Sequence, residues 1–152
     1  MKLLAPTVLF VALSAATPTA VHATSASPAY ASGGVRFSKV SYNSPGSDTG
    51  SNASLNAEWA RITNHSSSAR SLTGWTVRDL AGHVYRFGTF TLRAGASVRL
   101  HTGHGSNTRT DVYWRQSWYI WNNTGDKAIL KKPSGTTVDT CRWDGSGSVA
   151  LC

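Results

Sequence analysis

The sequence predicts an all-β sandwich, and three observations carry that prediction. Past the N-terminal apolar run, the hydrophobic stretches are short and separated by Gly, Asn, Ser and Asp. Several of them alternate apolar and polar side chains, the two-residue period of a half-buried strand. No stretch sustains the period of an amphipathic helix.

The candidate strands are "GVRFSKVSY" (34–42), "LNAEWARIT" (55–63), "GWTVRD" (74–79), "HVYRFG" (83–88), "SVRLHTG" (97–103), "DKAILKK" (126–132) and "TTVDTCRW" (136–143). In the second, Ala60 and Ile62 share a face with Glu58, so Trp59 and Arg61 point the other way. In the fifth, Val98 and Leu100 oppose Arg99 and His101; in the sixth, Ala128 and Leu130 oppose Lys127, Ile129 and Lys131. "LAGH" turns the chain between the third and fourth strands. "KPSGT", with Pro133 and Gly135, does so between the last two. About seven strands spaced near ten residues apart is a sandwich pattern. Trp114, Trp118 and Trp121 do stand at helical spacing. Their segment is short, lacks good helix formers and ends in Asn-Asn-Thr-Gly, so one irregular or 3₁₀ turn is the most expected there.

The chain has 152 residues and opens with Met1-Lys2, an apolar run over 3–16 and then small residues. That is the layout of a secretory signal peptide. Cleavage is expected after Ala23, with Ala31 as second choice, leaving a flexible segment over 24–34 and one domain over 35–152. The run is too short and too rich in Ala and Thr to span a bilayer well. The mature protein is therefore expected to be soluble, secreted and monomeric. Its roughly 120 residues suffice for one domain that buries a little under ~70% of its unfolded surface. Cys141 and Cys152, in a secreted chain without a CxxC spacing, are expected to form a disulfide.

Lys and Arg number 15 against 7 acidic residues, a formal charge of +8, scattered without a run. Such charge serves solubility, and it also suits attraction to anionic polymers such as nucleic acid, cell-wall polyanions or lipid headgroups.

"LNAEWARITN" (55–64), "LTGWTVRD" (72–79) and "WNNTGDKAIL" (121–130) resemble the three signature stretches of the lamin tail domain. "FTLRAGASVRLHTGHGSNT" (90–108) is similar to that family's hairpin and Gly-rich loop. The resemblance runs in order from about Val35 to Trp143. It implies an immunoglobulin-like β-sandwich of about seven to nine strands. It also implies a binding or adaptor module without a catalytic site, of the kind found in nuclear lamins and exported bacterial proteins. The cysteines lie too near the C-terminal end to be the disulfide that pins the two sheets of an antibody domain on a buried Trp.

Trp75 and Trp121 fall inside the family motifs beside tight turns and are expected in the core, with Asp126 capping a turn. Trp59, Arg61, Tyr113, Trp114, Arg115, Trp118 and Tyr119 are the candidate recognition residues. Aromatic faces would stack on bases or sugars while arginines hold anions. The same Trp and Tyr residues would equally serve to plug one end of the sandwich. Catalysis has little to work with. Glu58 is the one Glu, and it is expected to bond backbone or pair with an Arg. His101 and His104 lack a third ligand, and Asp48, Ser51 and Asn52 lack the spacing of a helix-loop-helix Ca²⁺ site. No metal or cofactor is expected. The function expected is a secreted, non-enzymatic binding module for an extracellular anionic polymer, nucleic acid first. A carbohydrate-binding or protein-adaptor module is the alternative.

Overall fold

A computed structural model describes residues 33–152. The expected signal peptide and most of the flexible segment after it lie outside the described residues. Strands β1 (Val35–Ser41), β2 (Trp59–Asn64), β3 (Arg70–Ser71), β4 (Thr76–Arg78), β5 (Val84–Arg86) and β6 (Thr91–Leu92) form the first half. A short helix α1 (Asn52–Ala57) lies between β1 and β2. Strands β7 (Ser97–His101), β8 (Asp111–Tyr113), β9 (Asp126–Lys131), β10 (Thr137–Trp143) and β11 (Val149–Leu151) complete the chain. One sheet has the order β11-β1-β2-β7-β8, a second β10-β9-β4-β5, and β3 pairs with β6.

The two larger sheets face each other over Val35, Phe37, Val40, Ile62, Val98 and Leu100 on one side. Val77, Ala128 and Leu130 meet them from the other. The immunoglobulin-like sandwich expected from the sequence is the fold. β7 and β9 alternate as their sequences predict, with burial switching at every residue.

β1 does not alternate cleanly, and the reason is a register shift between Phe37 and Lys39. Val35 and Phe37 point inward, as do Val40 and Tyr42. The odd spacing between those pairs needs one extra residue, which a bulge supplies. A similar shift in β10, between Thr137 and Asp139, accompanies a bond in which the Asp139 carboxylate accepts the Phe37 N–H at 2.8 Å.

The expected strand over 55–63 is corrected at its start. Residues 52–57 form α1, with the Ser51 hydroxyl accepting the Ser54 N–H at the N-cap and Leu55 buried beneath it. Only from Trp59 onward is the chain extended. Four short strands (β3, β6, β8 and β11) were not among the expected ones.

The aromatic residues line up through the core. Tyr42 stacks on Trp143 at 5.0 Å, Trp143 meets Trp121 edge-on at 5.7 Å, and Trp121 meets Trp114 likewise at 5.7 Å. The series continues through Tyr85 to Phe87 and Phe90. Each well-placed ring pair adds about 0.5–1.5 kcal/mol beyond its buried area.

Cys141 and Cys152 are bonded, with Cα atoms 5.5 Å apart. Cys141 belongs to β10 and Cys152 follows β11, so the bond joins the edge strands of the two sheets. It therefore clasps the sandwich at its rim, whereas an antibody-type bridge pins it through the middle.

Candidate polyanion-binding surface

Cross-strand register builds a surface on the outer face of the five-stranded sheet. Lys39 on β1 lies opposite Arg61 on β2, Arg61 opposite Arg99 on β7, and Arg99 opposite Asp111 on β8. The next rank runs Ser41, Trp59, His101, Tyr113 across the same strands. Neighbouring strands are about 4.8 Å apart, so three cations fall in a row beside a row of rings. Trp59 and Arg61 face outward as the alternation of β2 predicts. The Lys39 ammonium stands 5.7 Å from the centre of the Trp59 ring, a cation–π contact. The Arg61 guanidinium is aimed by its Nε, which donates to the Ser38 hydroxyl at 2.8 Å.

At the end of the two rows, Asp111 accepts from Arg99 Nε at 3.0 Å and lies 2.9 Å from His101 Nε2. The other imidazole nitrogen, Nδ1, is 2.8 Å from the Asn56 carbonyl oxygen. Partial burial pushes the Asp111 carboxyl upward. Hydrogen bonds from His101 and Thr110, with the charges of Arg99 and His101, outweigh that and hold it below the usual carboxylate range.

The other carboxylates are spent within the fold. Asp79 accepts the Gly82 and His83 N–H groups, and Asp126 those of Leu80, Asn122 and Lys127. Asp139 accepts from Phe37, Asp144 from Ser146, and Asp48 from the Asn123 side-chain amide. Glu58 is fully buried, and its Oε1 accepts from Thr102 Oγ1 (2.6 Å), Ile120 N (2.8 Å) and Trp121 N (3.2 Å). The expectation that Glu58 bonds backbone holds, and burial pushes its carboxyl up to about 7. Arg99 bridges to the Asp111 carboxylate.

The connection after β7 divides the remaining candidates. Tyr113 stacks on His101 at 5.1 Å. Gly105 lies against the Tyr113 ring so closely that a Cβ there would stand 2.3 Å from it, so this ring is held between neighbours and presents little face to a ligand. Trp114 is corrected outright: at 7% exposure it is core, edge-on to Trp121. Arg115 is exposed, adopts a left-handed backbone (φ 63°) and donates from its guanidinium to the Gly105 carbonyl. Tyr119 hydrogen-bonds Gly50 N and Ser54 Oγ through its hydroxyl, fastening the connection to α1. Trp118 is 62% exposed, and Gly50 sits against its ring. The surface thus unites Trp59 and Arg61 with Lys39 and Arg99, two residues not among the candidates. Their place depends on strand register, which one strand's alternation does not reveal.

The candidate ion loop has structural work. Ser51 caps α1, and Asn52 exchanges hydrogen bonds with the His104 backbone. No cluster of three or more metal-ligating side chains occurs among the described residues.

The fold and its outward-facing sheet surface define an immunoglobulin-like β-sandwich of the binding-domain class. The chain belongs to the Lamin Tail Domain family, whose model matches residues 28–145. β11 and Cys152 lie beyond the matched stretch. No curated protein matches the chain. No helix among the described residues is long and apolar enough to cross a membrane.

Proposed function

We propose that the protein is a secreted, non-enzymatic module that binds an extracellular anionic polymer, nucleic acid first. The observation that carries this reading is the division of charge. Most carboxylates accept from backbone amides and turn side chains, while on the outer face of the five-stranded sheet the Lys39 ammonium stands over the Trp59 ring, Arg61 Nε donates to a serine hydroxyl, and Arg99 meets Asp111. Such cations release counterions when they meet phosphates, so affinity falls steeply with salt. Trp59, beside Lys39 and Arg61, adds a ring on which a base stacks, worth about 1–3 kcal/mol. The groups that could do acid–base chemistry are committed elsewhere: Glu58 holds the 120–121 backbone, and both nitrogens of His101 face oxygens. Secretion rests on the N-terminal layout and accords with the disulfide.

The test is binding to labelled single-stranded and duplex DNA across a salt series, with heparin as competitor. Salt-sensitive binding supports the reading, and full competition by heparin would broaden the ligand to polyanions in general. Affinity that persists undiminished at high salt, or no binding at low salt, overturns it.

A second reading, a carbohydrate-binding module, is favoured by Trp118, an exposed ring backed by Gly50. It predicts salt-insensitive retention on an insoluble polysaccharide, abolished in Trp118→Ala.

A further inference from the structure

We infer that the domain carries a second nucleic-acid-binding surface, on the outer face of the four-stranded sheet, and bridges two duplex segments. The inference rests on the polyanion reading above and concerns residues that reading does not use. Register sets Arg142 on β10 opposite Lys127 on β9. Lys131, four residues further along β9, lies opposite Thr76 on β4, and Thr76 lies opposite Arg86 on β5. Arg78 stands between these two groups, opposite Ile129.

The inward partners on these strands, Val77, Ala128, Leu130 and Cys141, are buried, which fixes the basic side chains on the outside. The carboxylate nearest these cations in sequence is Asp144, exposed two residues beyond Arg142 and bonded to the Ser146 N–H. Asp126 is buried and bound to three backbone amides, and Asp139 turns to the Phe37 N–H at the β10 register shift.

Between the cations this face presents Thr140 and half-buried Ile129, while Thr76 is buried with its hydroxyl accepting from Arg78 Nε, so contact there is with phosphates rather than stacked bases. Four residues of extended chain put Lys127 and Lys131 about 13 Å apart along β9, with Arg142 beside the first and Arg86 two strands from the second. That is close to the ~12 Å width of a duplex major groove, so Lys127 and Lys131 reach phosphates on either side of it. The two sheets pack face to face about 10 Å apart, and their outer faces look in opposite directions. One duplex seated on Lys39, Arg61 and Arg99 leaves this second face open for another.

The experiment uses two duplexes of the same sequence, one immobilised on beads and one carrying a fluorophore. The wild-type protein is expected to carry the fluorescent duplex onto the beads. A Lys127→Ala/Lys131→Ala/Arg142→Ala variant, its fold checked by circular dichroism, is expected still to bind the free labelled duplex through the first face, with that face's salt slope unchanged. The same variant should lose bead capture by about tenfold or more, as removal of one of two linked sites requires. Lys39→Ala/Arg61→Ala should likewise lose capture.

Wild-type protein that binds duplex but captures none overturns the second surface and leaves the polyanion reading standing. Undiminished capture by the second-face variant also overturns it, because bridging would then come from self-association. Absence of duplex binding altogether overturns both. Capture abolished by heparin at concentrations that spare single-duplex binding would show the second face to prefer another polyanion, which overturns the assignment to nucleic acid.

Discussion

Glu58 shows how much one side chain can decide. It is buried without a cation beside it, and Oε1 gathers three donors while Oε2 has none. Its carboxyl is raised from 4.5 to about 7 by burial. The folded protein therefore holds this proton more tightly than the unfolded chain. The resulting stabilisation is full below pH 4.5 and is lost as pH rises through about 7. Its size is at most about 3 kcal/mol. Chemical denaturation from acid to mildly alkaline pH should show wild-type stability falling across this window relative to Glu58→Gln. The other titrating groups are common to both proteins, so parallel curves would refute the assignment. Trp59 predicts a different signature. Trp59→Ala should weaken single-stranded DNA binding by about tenfold at every salt concentration without changing the salt slope. A changed slope would mean that the ring acts by placing Lys39 and not by stacking. The outward position of Trp59 was legible because Ala60 and Ile62 declare the inner face of β2. Trp114 was not legible as core: Val112 and Trp114 alternate with Asp111 and Tyr113, but a three-residue strand is too short to declare itself.

Among the elements, long alternating strands could be read and short ones could not. β3 and β6 have two residues each, and β8 is held by parallel pairing to β7, a relation between distant segments. α1 escaped because its six residues bury only Leu55, which leaves no periodicity to detect. The cysteine pairing was legible from the count of two, but its role was not, since no local pattern reveals that β10 and β11 lie on different sheets. That role has a measurable size. An 11-residue separation corresponds to about 3 kcal/mol by chain entropy. Cys141→Ser/Cys152→Ser should lose about that much in urea titration. Amide exchange should accelerate first at Val149–Leu151, the edge strand that the bond secures. Uniform acceleration across both sheets would contradict a rim clasp.

For the whole molecule, the charge of +8 acts on stability and binding in opposite senses. Self-repulsion of a basic domain is relieved by screening, so its unfolding temperature should rise between about 0.02 M and about 0.3 M NaCl. Nucleic-acid affinity should fall over the same range. If both fell together, the loss of binding would reflect unfolding. The sandwich also has a consequence for the order of its assembly. β1 is paired on one side by β11, and the Tyr42 hydroxyl accepts the Gly147 N–H across 105 positions of sequence. Contacts between such distant segments make a chain fold slowly, and the five-stranded sheet cannot close until its latest strand reaches its earliest. In the native arrangement the Cys152 sulfur meets Cys141 only once β11 has docked on β1. Trapping free thiols during refolding would report whether the crosslink forms with the docking of β11 or ahead of it.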